Sequence, residues 1–342
     1  MNNIITVISP IYNEEKYIDE LVDSLLNQKL DGYELELLLV EGMSSDRSRE
    51  KIEQLARKDS RIRLLINERQ KTPFAFNIGL REARGDHICI FGAHAHYDPD
   101  YIAVCLSELE KHDAVGVTGR ILALPPEDTI QAKCVSWAFS SSFGASGKSW
   151  RTQPEGYVDT AGYPVFIKQP LLDLGGYDER LARNQDNDMN FRLRQAGYKL
   201  YCTWKTTAHY QSKKKISEIL RYAIRTGRGN AVSLKVSPGS LSLRHHIPTI
   251  FTGAVLLGIL LAVIGLLTAS PITAWLGALF LLAIPLHLLV GILVSQRIFL
   301  KEHSFAAFLM PPVFFLFHFC YGFGTFYGLW KDKPDTWVET QN

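Results

Sequence analysis

Residues 4–15, IITVISPIYNEE, decide the fold of the first half of this 342-residue chain. Residues 4–9 form a short, nearly continuous run of β-branched and apolar side chains, which is typical of a strand buried on both faces of a parallel sheet. Pro10 is expected to end that strand, because proline has no N–H to donate. The polar and acidic residues that follow open an amphipathic helix, which is predicted to extend to about residue 27.

The pattern of a strand followed by a helix then repeats. Further strands are predicted at residues 34–40, 61–66 and 87–91, with helical segments between them. This alternation indicates an α/β fold with a mostly parallel, Rossmann-like sheet, whose ligands bind at the carboxyl ends of the strands. After Gly92 the alternation is lost, and residues 129–148 show no clear preference for helix or loop.

Charge divides the chain into three blocks. Of the 72 charged residues, 64 lie in residues 1–244, whereas residues 245–296 and 303–330 contain no Asp, Glu, Lys or Arg. Residues 192–244 hold twelve Lys or Arg and one acid, a net charge of +11, and residues 1–191 sum to −9. The chain is therefore predicted to be an acidic globular domain, a basic collar and an apolar tail.

The composition excludes a disordered chain. The five cysteines show neither regular spacing nor the paired spacing of metal ligands, which argues against a disulfide scaffold or a zinc site.

The tail predicts a membrane domain. Apolar segments at 247–269, 272–295 and 305–330 are each long enough to cross a bilayer core of roughly 30 Å. The basic collar before them marks the cytoplasmic side, and so do Arg297 and Lys301 after the second segment. We expect a multi-pass protein of the cell (inner) membrane with its first domain in the cytoplasm, because the amino-terminal residues pass directly into a strand pattern without a signal peptide.

The third apolar segment leaves the side of the carboxyl terminus open. Three crossings would place the terminus outside. Pro311 and Pro312, however, would allow this segment to form a re-entrant or interfacial hairpin, and Lys331 and Lys333 favour the cytoplasm. Residues 216–228 also show a helical period with basic side chains on one side, which predicts an interfacial helix.

Four polar clusters fall where loops leave the carboxyl edge of the predicted sheet. They are PIYNE at residues 10–14, EGMSSD at 41–46, GAHAH at 92–96 and QDND at 185–188. With their surroundings, they resemble the glycosyltransferases of family 2, which have the GT-A fold. The resemblance covers roughly residues 1–230 and rests on VISPIYNEE (7–15), VEGMSSD (40–46), RQKTPFAFNIGLREARGDHICIFGAH (69–94) and LGGYDERLARNQDNDMNFRLRQAGYKL (174–200). Within that family, GAHAHYDPDYI (92–102) and the apolar tail are most similar to bacterial exopolysaccharide enzymes of the succinoglycan glucosyltransferase type.

The resemblance implies a domain plan and a donor. Residues 1–230 would be the GT-A domain, with a nucleotide-binding half at 1–100, an acceptor and catalytic half at 101–210 and the basic juxtamembrane collar at 211–244; residues 245–342 would be the transmembrane domain. The donor would be a nucleotide sugar, usually a UDP-sugar, and the transfer would invert the anomeric carbon. Residues implied for donor binding are Pro10, Tyr12, Glu14, Glu41 (where the family usually has Asp, contacting uracil or ribose) and Asp46. The alternative for Glu41 is a plain charge at the start of a helix.

The resemblance also implies a divalent metal, Mn²⁺ or Mg²⁺, but the metal motif is altered. The family's Asp-x-Asp is Gly92-Ala93-His94 here, so the first carboxylate is missing. His94 is the expected remaining ligand, with His96 and His209 as secondary candidates, and imidazole suits Mn²⁺ better than Mg²⁺. In the alternative reading these are polar loop histidines and metal binding is weak or absent.

Asp186 occupies the position of the family's general base, which takes the proton from the acceptor hydroxyl as it attacks the anomeric carbon. Gln185 stands where the family usually has Glu, and Asp188 is a nearby supporting acid. Capping of the helix that follows is a second role for Asp186 and is compatible with catalysis. Arg221, Arg225 and Arg228 share one helix face and would hold either the departing diphosphate or the lipid surface.

The predicted function is that of a membrane-anchored inverting hexosyltransferase that extends a lipid-linked glycan in exopolysaccharide or cell-surface polysaccharide biosynthesis. Its expected partners are the nucleotide sugar, the lipid-linked saccharide, membrane lipids and other polysaccharide-assembly proteins, without nucleic acid. A catalytically silent nucleotide-sugar-binding scaffold is the alternative, which Gly92 favours and the retained Asp186 disfavours. A dinucleotide-binding reductase is excluded, since no G-x-G-x-x-G follows the first strand.

Overall fold

Nine strands form one mixed sheet in the computed structural model, which describes residues 3–334. The strands are β1 (Ile4–Ile11), β2 (Glu34–Glu41), β3 (Ile62–Ile66), β4 (His87–Ile90), β5 (Ala95–Tyr97), β6 (Gly116–Leu124), β7 (Gly156–Tyr157), β8 (Val165–Ile167) and β9 (Leu200–Gln211). Their order is β3-β2-β1-β4-β8-β6-β9-β5, and β7 also pairs with β9. The first four strands are parallel, as predicted, whereas β8, β5 and β7 pair antiparallel with their neighbours.

Strand β1 lies at the centre of the parallel half, between β2 and β4. Ile5, Val7 and Ile8 are fully buried, as the apolar run predicts. The strand extends through Ile11 and does not end at Pro10. Because β1 pairs with β4 only as far as Ile8, Pro10 lies beyond that ladder, where its missing N–H costs no hydrogen bond.

Thirteen α-helices are found in the described part of the chain. They are α1 (Ile18–Leu26), α2 (Ser48–Lys58), α3 (Thr72–Glu82), α4 (Tyr101–Lys111), α5 (Ile130–Ser140), α6 (Ser142–Ala145), α7 (Lys168–Asp173), α8 (Gln185–Gln195), α9 (Ile216–Val236), α10 (Leu243–Leu267), α11 (Pro271–Leu281), α12 (Ala283–Glu302) and α13 (Met310–Lys331). The unassigned stretch 129–148 is thus mostly helical, and α5 begins where the Thr129 hydroxyl accepts a hydrogen bond from the Ala132 N–H.

The chain divides into two compact units. The sheet unit contains residues 3–123 and 148–211, and the helical unit contains residues 124–147 and 212–334. The helical unit therefore includes α5, α6 and the basic helix α9. All three helices precede residue 245, where the membrane domain was predicted to begin. The ends of the predicted domains, residues 1–2 and 335–342, lie outside the described residues.

Three segments of the helical unit are long and apolar enough to cross a membrane: Leu243–Leu267, Pro271–Glu302 and Phe305–Lys331. They overlap the three predicted segments with somewhat shifted bounds. Pro311 and Pro312 do not break the third segment. They lie in the first turn of α13, where the missing N–H of proline costs no helical hydrogen bond.

Candidate active site

The loops after β1 and β2 are joined by side-chain hydrogen bonds. The Asn13 N–H donates to the Ser44 hydroxyl (3.0 Å), and the Ser45 N–H donates back to Oδ1 of Asn13 (2.8 Å). The Glu14 N–H donates to the Ser48 hydroxyl (2.8 Å). These bonds satisfy backbone groups that no strand partner reaches, so the two loops form one prebuilt rim at the carboxyl edge of the sheet.

Both oxygens of Asp46 are engaged within this rim. Oδ2 accepts from the Glu15 N–H (3.1 Å) and Oδ1 accepts from the Ser48 N–H (3.0 Å). Burial raises the pKa of the Asp46 carboxyl, but hydrogen bonds from Ser48 and Glu15 outweigh burial and hold that pKa below its usual value. The structure therefore gives Asp46 a positioning role in the rim.

Glu41, the last residue of β2, is fully buried. Its Oε1 accepts a short hydrogen bond of 2.5 Å from the Ser44 N–H. Its Oε2 is buried and has no hydrogen-bond donor among residues 3–334. Burying a carboxylate oxygen without a hydrogen-bond donor costs free energy of folding. A hydrogen bond from an N–H or O–H group of a ligand would therefore be favourable there.

Tyr12 is half-buried beside the Glu41 loop: a Cβ added to Gly42 would lie 3.4 Å from its Cδ2. Pro10 lies deeper, in the wall of a pocket described below. The five residues implied for donor binding thus lie on adjoining strand ends, as parallel strands require.

The three candidate metal ligands each face a different carboxylate. His94 Nε2 lies 3.0 Å from Glu14 Oε1, and the His94 ring also packs edge-on against Tyr17. His96 and His209 are directly opposite each other on β5 and β9. His96 lies 3.8 Å from Glu20 and His209 lies 3.1 Å from Asp98. Within residues 3–334, no three His, Cys, Asp or Glu side chains come together as a metal centre.

Gly92 lies between His94 and the pocket. Its N–H donates to the Tyr97 hydroxyl (3.1 Å), and a Cβ at this position would meet only the Tyr163 ring, at 3.4 Å. A Cβ would therefore fit at this position in ordinary van der Waals contact.

A pocket of about 160 Å³ opens at the carboxyl end of β1 and β4. Pro10 and Gly92 form one side of it, and Gln185 and Asp186 from the start of α8 form another. Aromatic rings make up much of the remaining wall: Phe76, Phe91, Trp150, Tyr163, Phe166 and Tyr177. A largely apolar wall with a few convergent polar groups is the usual character of a small-molecule site.

Asp186 is the second residue of α8, after Asn184, which has a left-handed backbone (φ 61°). Its Oδ1 accepts from the Asn187 N–H at 2.9 Å. The positive end of the helix dipole favours the ionised carboxylate, which is the form that can accept a proton. Burial, and then the negative charge of Asp186, raise the pKa of Tyr177, which lines the same pocket.

Asp188 and Arg192 hold the turn that carries Tyr177. The Arg192 Nε donates to Asp188 Oδ2 (2.8 Å), while its two terminal nitrogens donate to the carbonyl oxygens of Leu174 (2.9 Å) and Gly176 (2.7 Å). Asp188 is 2% exposed. Asp188 thus orients the arginine that clamps the turn, and its support of the base stays a prediction.

The sequence analysis missed Asn190, Trp150 and Tyr163 as site residues. The Asn190 Nδ2 donates to the Thr160 hydroxyl (3.1 Å), but its buried Oδ1 receives no hydrogen bond from the described residues. The same holds for the buried Oε1 of Gln185. Asn190 stands four residues after Asp186, one helical turn away, and this spacing was the available signal. Trp150 and Tyr163 lie in the loops before and after β7, whose residues show no periodicity and so offered no signal.

The three arginines of α9 lie in the helical unit. Arg228 forms a two-point ion pair with Asp332, with both N–O distances 2.8 Å. Arg221 is exposed and Arg225 is half-buried. Of the three arginines predicted to share one helix face, Arg228 is therefore already paired with a carboxylate of the same unit.

Comparison with known proteins identifies the class. Residues 6–163 match the family model for glycosyl transferase family 2. This similarity agrees with the family that the motifs predicted, and it supports a transferase enzyme.

Two relatives span nearly the whole chain or most of it. One is the dolichyl N-acetyl-α-D-glucosaminyl phosphate 3-β-D-2,3-diacetamido-2,3-dideoxy-β-D-glucuronosyltransferase of Methanococcus voltae, 26% identical over 96% of this chain and 98% of that protein. The other is the succinoglycan biosynthesis protein ExoA of Rhizobium meliloti (strain 1021), 27% identical over 80% of this chain and 82% of that protein. The predicted likeness to succinoglycan enzymes is thereby confirmed.

A solved structure supports the fold. The mannosyltransferase PcManGT of Pyrobaculum calidifontis, solved with GDP-Man and Mn²⁺, is 19% identical, covers 96% of this chain and 88% of its own, and superimposes with a TM-score of 0.56. The predicted GT-A fold is confirmed, with a sheet that is mixed beyond its four parallel strands.

Proposed function

We propose that the chain transfers a sugar from a nucleotide sugar, in the first instance a UDP-sugar, to a lipid-linked glycan at the cytoplasmic face of the cell membrane, with inversion at the anomeric carbon. The observation that carries the proposal is the composition of the pocket. It combines the Asp186 carboxylate with two buried amide oxygens, of Gln185 and Asn190, that receive no hydrogen bond within residues 3–334. Sugar hydroxyls are the donors that such oxygens lack, and sugar rings stack against aromatic walls of this kind.

Asp186 would act as the general base. The acceptor hydroxyl loses its proton to the Asp186 carboxylate while its oxygen forms a bond to the anomeric carbon. The bond from that carbon to the diphosphate oxygen breaks, and the nucleoside diphosphate leaves with the electron pair. Attack from the face opposite the leaving group inverts the carbon. The remaining pocket groups hold the sugar in this geometry, which is where much of the rate enhancement would arise.

The nucleotide would lie against the rim formed by the β1 and β2 loops. The unsatisfied Oε2 of Glu41 would accept a hydrogen bond from the ribose or the base. Tyr12 and Pro10 would pack against the nucleotide, while Asp46 and the backbone of Glu14 keep the rim in place. Recognition of the nucleotide part of the donor is thus assigned to the rim, and recognition of its sugar to the pocket.

A divalent ion fits this site only together with the donor phosphates. His94 and Glu14 supply one nitrogen and one carboxylate oxygen 3.0 Å apart, and a divalent ion on a diphosphate takes one or two protein groups besides phosphates and waters. When bound, the ion would neutralise charge on the leaving diphosphate. We propose His94 as the ligand ahead of His96 and His209, because those two face Glu20 and Asp98 instead.

The acceptor assignment rests on the relatives and on the apolar helices. The Methanococcus voltae relative is named for a dolichyl-phosphate-linked acceptor, and the Rhizobium meliloti relative for succinoglycan biosynthesis. A protein with three helices of membrane length would contact lipid-linked substrates within the bilayer. For Arg221 and Arg225 we propose contact with anionic lipid head groups, to which basic side chains near a membrane are attracted.

The donor is tested with purified protein and a panel of UDP-, GDP- and dTDP-sugars. A matching donor at 100 times its Kd should raise the free energy of unfolding by about 2.7 kcal/mol, a shift in melting temperature of about 5 to 10 °C. The matching donor should also release its nucleotide when a lipid-linked saccharide is added. Stabilisation without nucleotide release for any acceptor would favour the silent scaffold, and stabilisation by no donor at all would contradict the proposal.

Metal binding should depend on the nucleotide. Mn²⁺, followed by the loss of its free-ion spin-resonance signal, is expected to bind at least tenfold more tightly in the presence of UDP, because the diphosphate completes the ligand set. His94→Ala and Glu14→Gln should each weaken Mn²⁺ binding in the UDP complex by about tenfold.

His96→Ala is the matched control for this measurement. His96, on β5, is also a histidine beside a carboxylate, but its neighbour is Glu20, at 3.8 Å, and not Glu14. It should leave Mn²⁺ affinity unchanged. Equal affinities in the parent and His94→Ala would remove His94 from the metal site.

A further inference from the structure

Helix α13 crosses α10 close to the start of α10. A Cβ added to Gly322 would lie 2.2 Å from Oγ1 of Thr252 and 2.3 Å from the carbonyl oxygen of Pro248. The Thr252 hydroxyl also donates to the carbonyl oxygen of Phe319 (3.2 Å). The two backbones therefore touch within the first half of the 25-residue helix α10.

The two helices cross steeply. Phe315 packs against Phe251, with ring centroids 5.7 Å apart, and the Phe326 ring lies 3.2 Å from a Cβ added to Gly253. These contacts are about 16 Å apart along α13, at 1.5 Å per residue, but only two residues apart along α10. Helices that cross a bilayer side by side would advance along each other by similar distances, and these do not.

The other two apolar segments do form a hairpin. Going outward along α10, Phe251 stacks on His287 and a Cβ on Gly265 would lie 2.4 Å from the N of Ala274. The contacts of α10 thus advance from residue 251 to residue 265 as those of the α11–α12 segment go back from 287 to 274. The two segments are antiparallel over about 20 Å, as expected for two membrane crossings.

The carboxyl end of α13 lies beside the chain that leads into α10. The Lys235 ammonium, at the end of α9, donates to the carbonyl oxygens of Leu329 (3.1 Å) and Asp332 (2.7 Å). Arg228 pairs with the Asp332 carboxylate. Lys235 precedes the start of α10 by only eight residues. The end of α13 is therefore on the side of the membrane from which α10 departs.

The amino end of α13 lies at the same side. The 3₁₀ turn Phe305–Leu309 precedes it, and Phe305 and Phe308 pack against Phe299 near the end of α12, with centroids 5.2 and 5.3 Å apart. Since α12 returns to the side from which α10 departs, both ends of α13 lie at one membrane face.

The two faces of α13 have opposite character. Leu316, Phe323, Phe326 and Trp330 are exposed and share one stripe, at steps of seven, three and four residues. On the other side a Cβ on Gly324 would lie 2.3 Å from the carbonyl oxygen of Ile224, which shows how closely α9 packs.

Helix α9 runs parallel to the second half of α13 and carries Arg221, Arg225, Arg228 and Lys235. If α13 crossed the bilayer, these charges would be drawn toward its apolar core, where a charged side chain is strongly disfavoured. If α13 lies flat, its apolar stripe enters the lipid and the basic helix stays above it, which is the usual arrangement of an interfacial helix.

We infer that α13 lies in the plane of the membrane interface, with its exposed stripe in the boundary between head groups and acyl chains. The chain then crosses the bilayer twice, through α10 and the α11–α12 segment, and residue 334 is on the side of the membrane from which α10 departs. We assign the stripe to the bilayer because α10 and α12, which contact α13 and the turn before it, also carry exposed apolar side chains and lie in membrane-length segments.

Membrane depth of spin labels tests the inference without any need for activity. Single cysteines at Leu316, Phe323 and Trp330, in protein carrying Cys320→Ser and reconstituted in liposomes, report depth by relaxation from oxygen and from a water-soluble nickel chelate. A flat helix places the three labels within about 5 Å of one depth. A crossing helix spreads them over about 21 Å, the rise of 14 helical residues, and this result would overturn the inference.

Three positions on α10 provide the matched scale: Leu256, Val263 and Leu267, which are also exposed. Their depths should change steadily, because α10 crosses. The side of the carboxyl terminus is read with two fusions, a fluorescent protein that matures only in the cytoplasm and a phosphatase active only outside. Fluorescence without phosphatase activity is expected; phosphatase activity, alone or together with fluorescence, would contradict two crossings.

Discussion

Replacing Asp186 by asparagine is expected to lower the rate of sugar transfer by about 1,000-fold, within the range of 10² to 10⁴ that a general base contributes. Asparagine keeps the shape of the side chain and can still accept the Asn187 N–H bond, but it cannot take a proton from the acceptor hydroxyl. Donor binding should persist, because the residues assigned to the nucleotide lie on the β1 and β2 loops.

The measurement is nucleotide release with a lipid-linked acceptor, alongside donor affinity from thermal shifts. A fall in turnover with unchanged donor affinity indicates a group that acts in the transition state. Asp173→Asn is the matched control, since Asp173 is an exposed carboxylate on α7 that accepts a hydrogen bond from Gln169 on the same helix. Normal turnover in Asp186→Asn would refute the base assignment.

Removing the Asp188 carboxylate is expected to destabilise the sheet unit by about 3 kcal/mol, because breaking a buried ion pair leaves an uncompensated charge. Asp188 is 2% exposed and the Arg192 side chain is 26% exposed. Without Asp188, the arginine would no longer be aimed at the carbonyl oxygens of residues 174 and 176. Asp188→Ala should therefore lower the melting temperature by about 6 to 12 °C.

The loss of the clamp should also reach the pocket. Asn77 brackets Tyr177 by accepting its N–H (2.7 Å) and donating to its carbonyl oxygen (2.9 Å), so Tyr177 stays in the wall only while its turn is held at both ends. Asp19→Ala is the control, since its pair with Lys51 is 60% exposed on the Asp19 side and should be worth less than about 1 kcal/mol. Equal melting temperatures for Asp188→Ala and Asp19→Ala would contradict this account.

Much of the site was predictable because parallel strands bring distant loops to one edge. The apolar runs of β1, β2 and β4 located the strands, and their carboxyl ends then had to place Pro10, Glu41 and Gly92 near one another. Asp186 followed from a local motif at the start of a helix. No such rule assigned Trp150 or Tyr163, since they lie in the loops on either side of β7, whose paths depend on contacts far away in the chain.

Side-chain partners were also beyond local reasoning. Glu14 and His94 are 80 residues apart, and each had been assigned separately, one to the donor and one to the metal. The structure brings them to 3.0 Å. Similarly, the basic face of α9 predicted three equivalent arginines, but only packing against α13 reveals that Arg228 is committed to Asp332.

The sequence by itself determined the similarity to family 2 glycosyltransferases, the parallel half of the sheet and the presence of three apolar segments, and it predicted Asp186 as the base. These depend on residue type and short-range spacing, which hydropathy and motifs record directly. Only the tertiary structure decided which carboxylate faces which histidine and in which direction the third apolar helix runs. Hydropathy measures whether a helix can enter lipid, but its direction depends on long-range contacts, here the close glycine crossings and the salt bridge between Arg228 and Asp332.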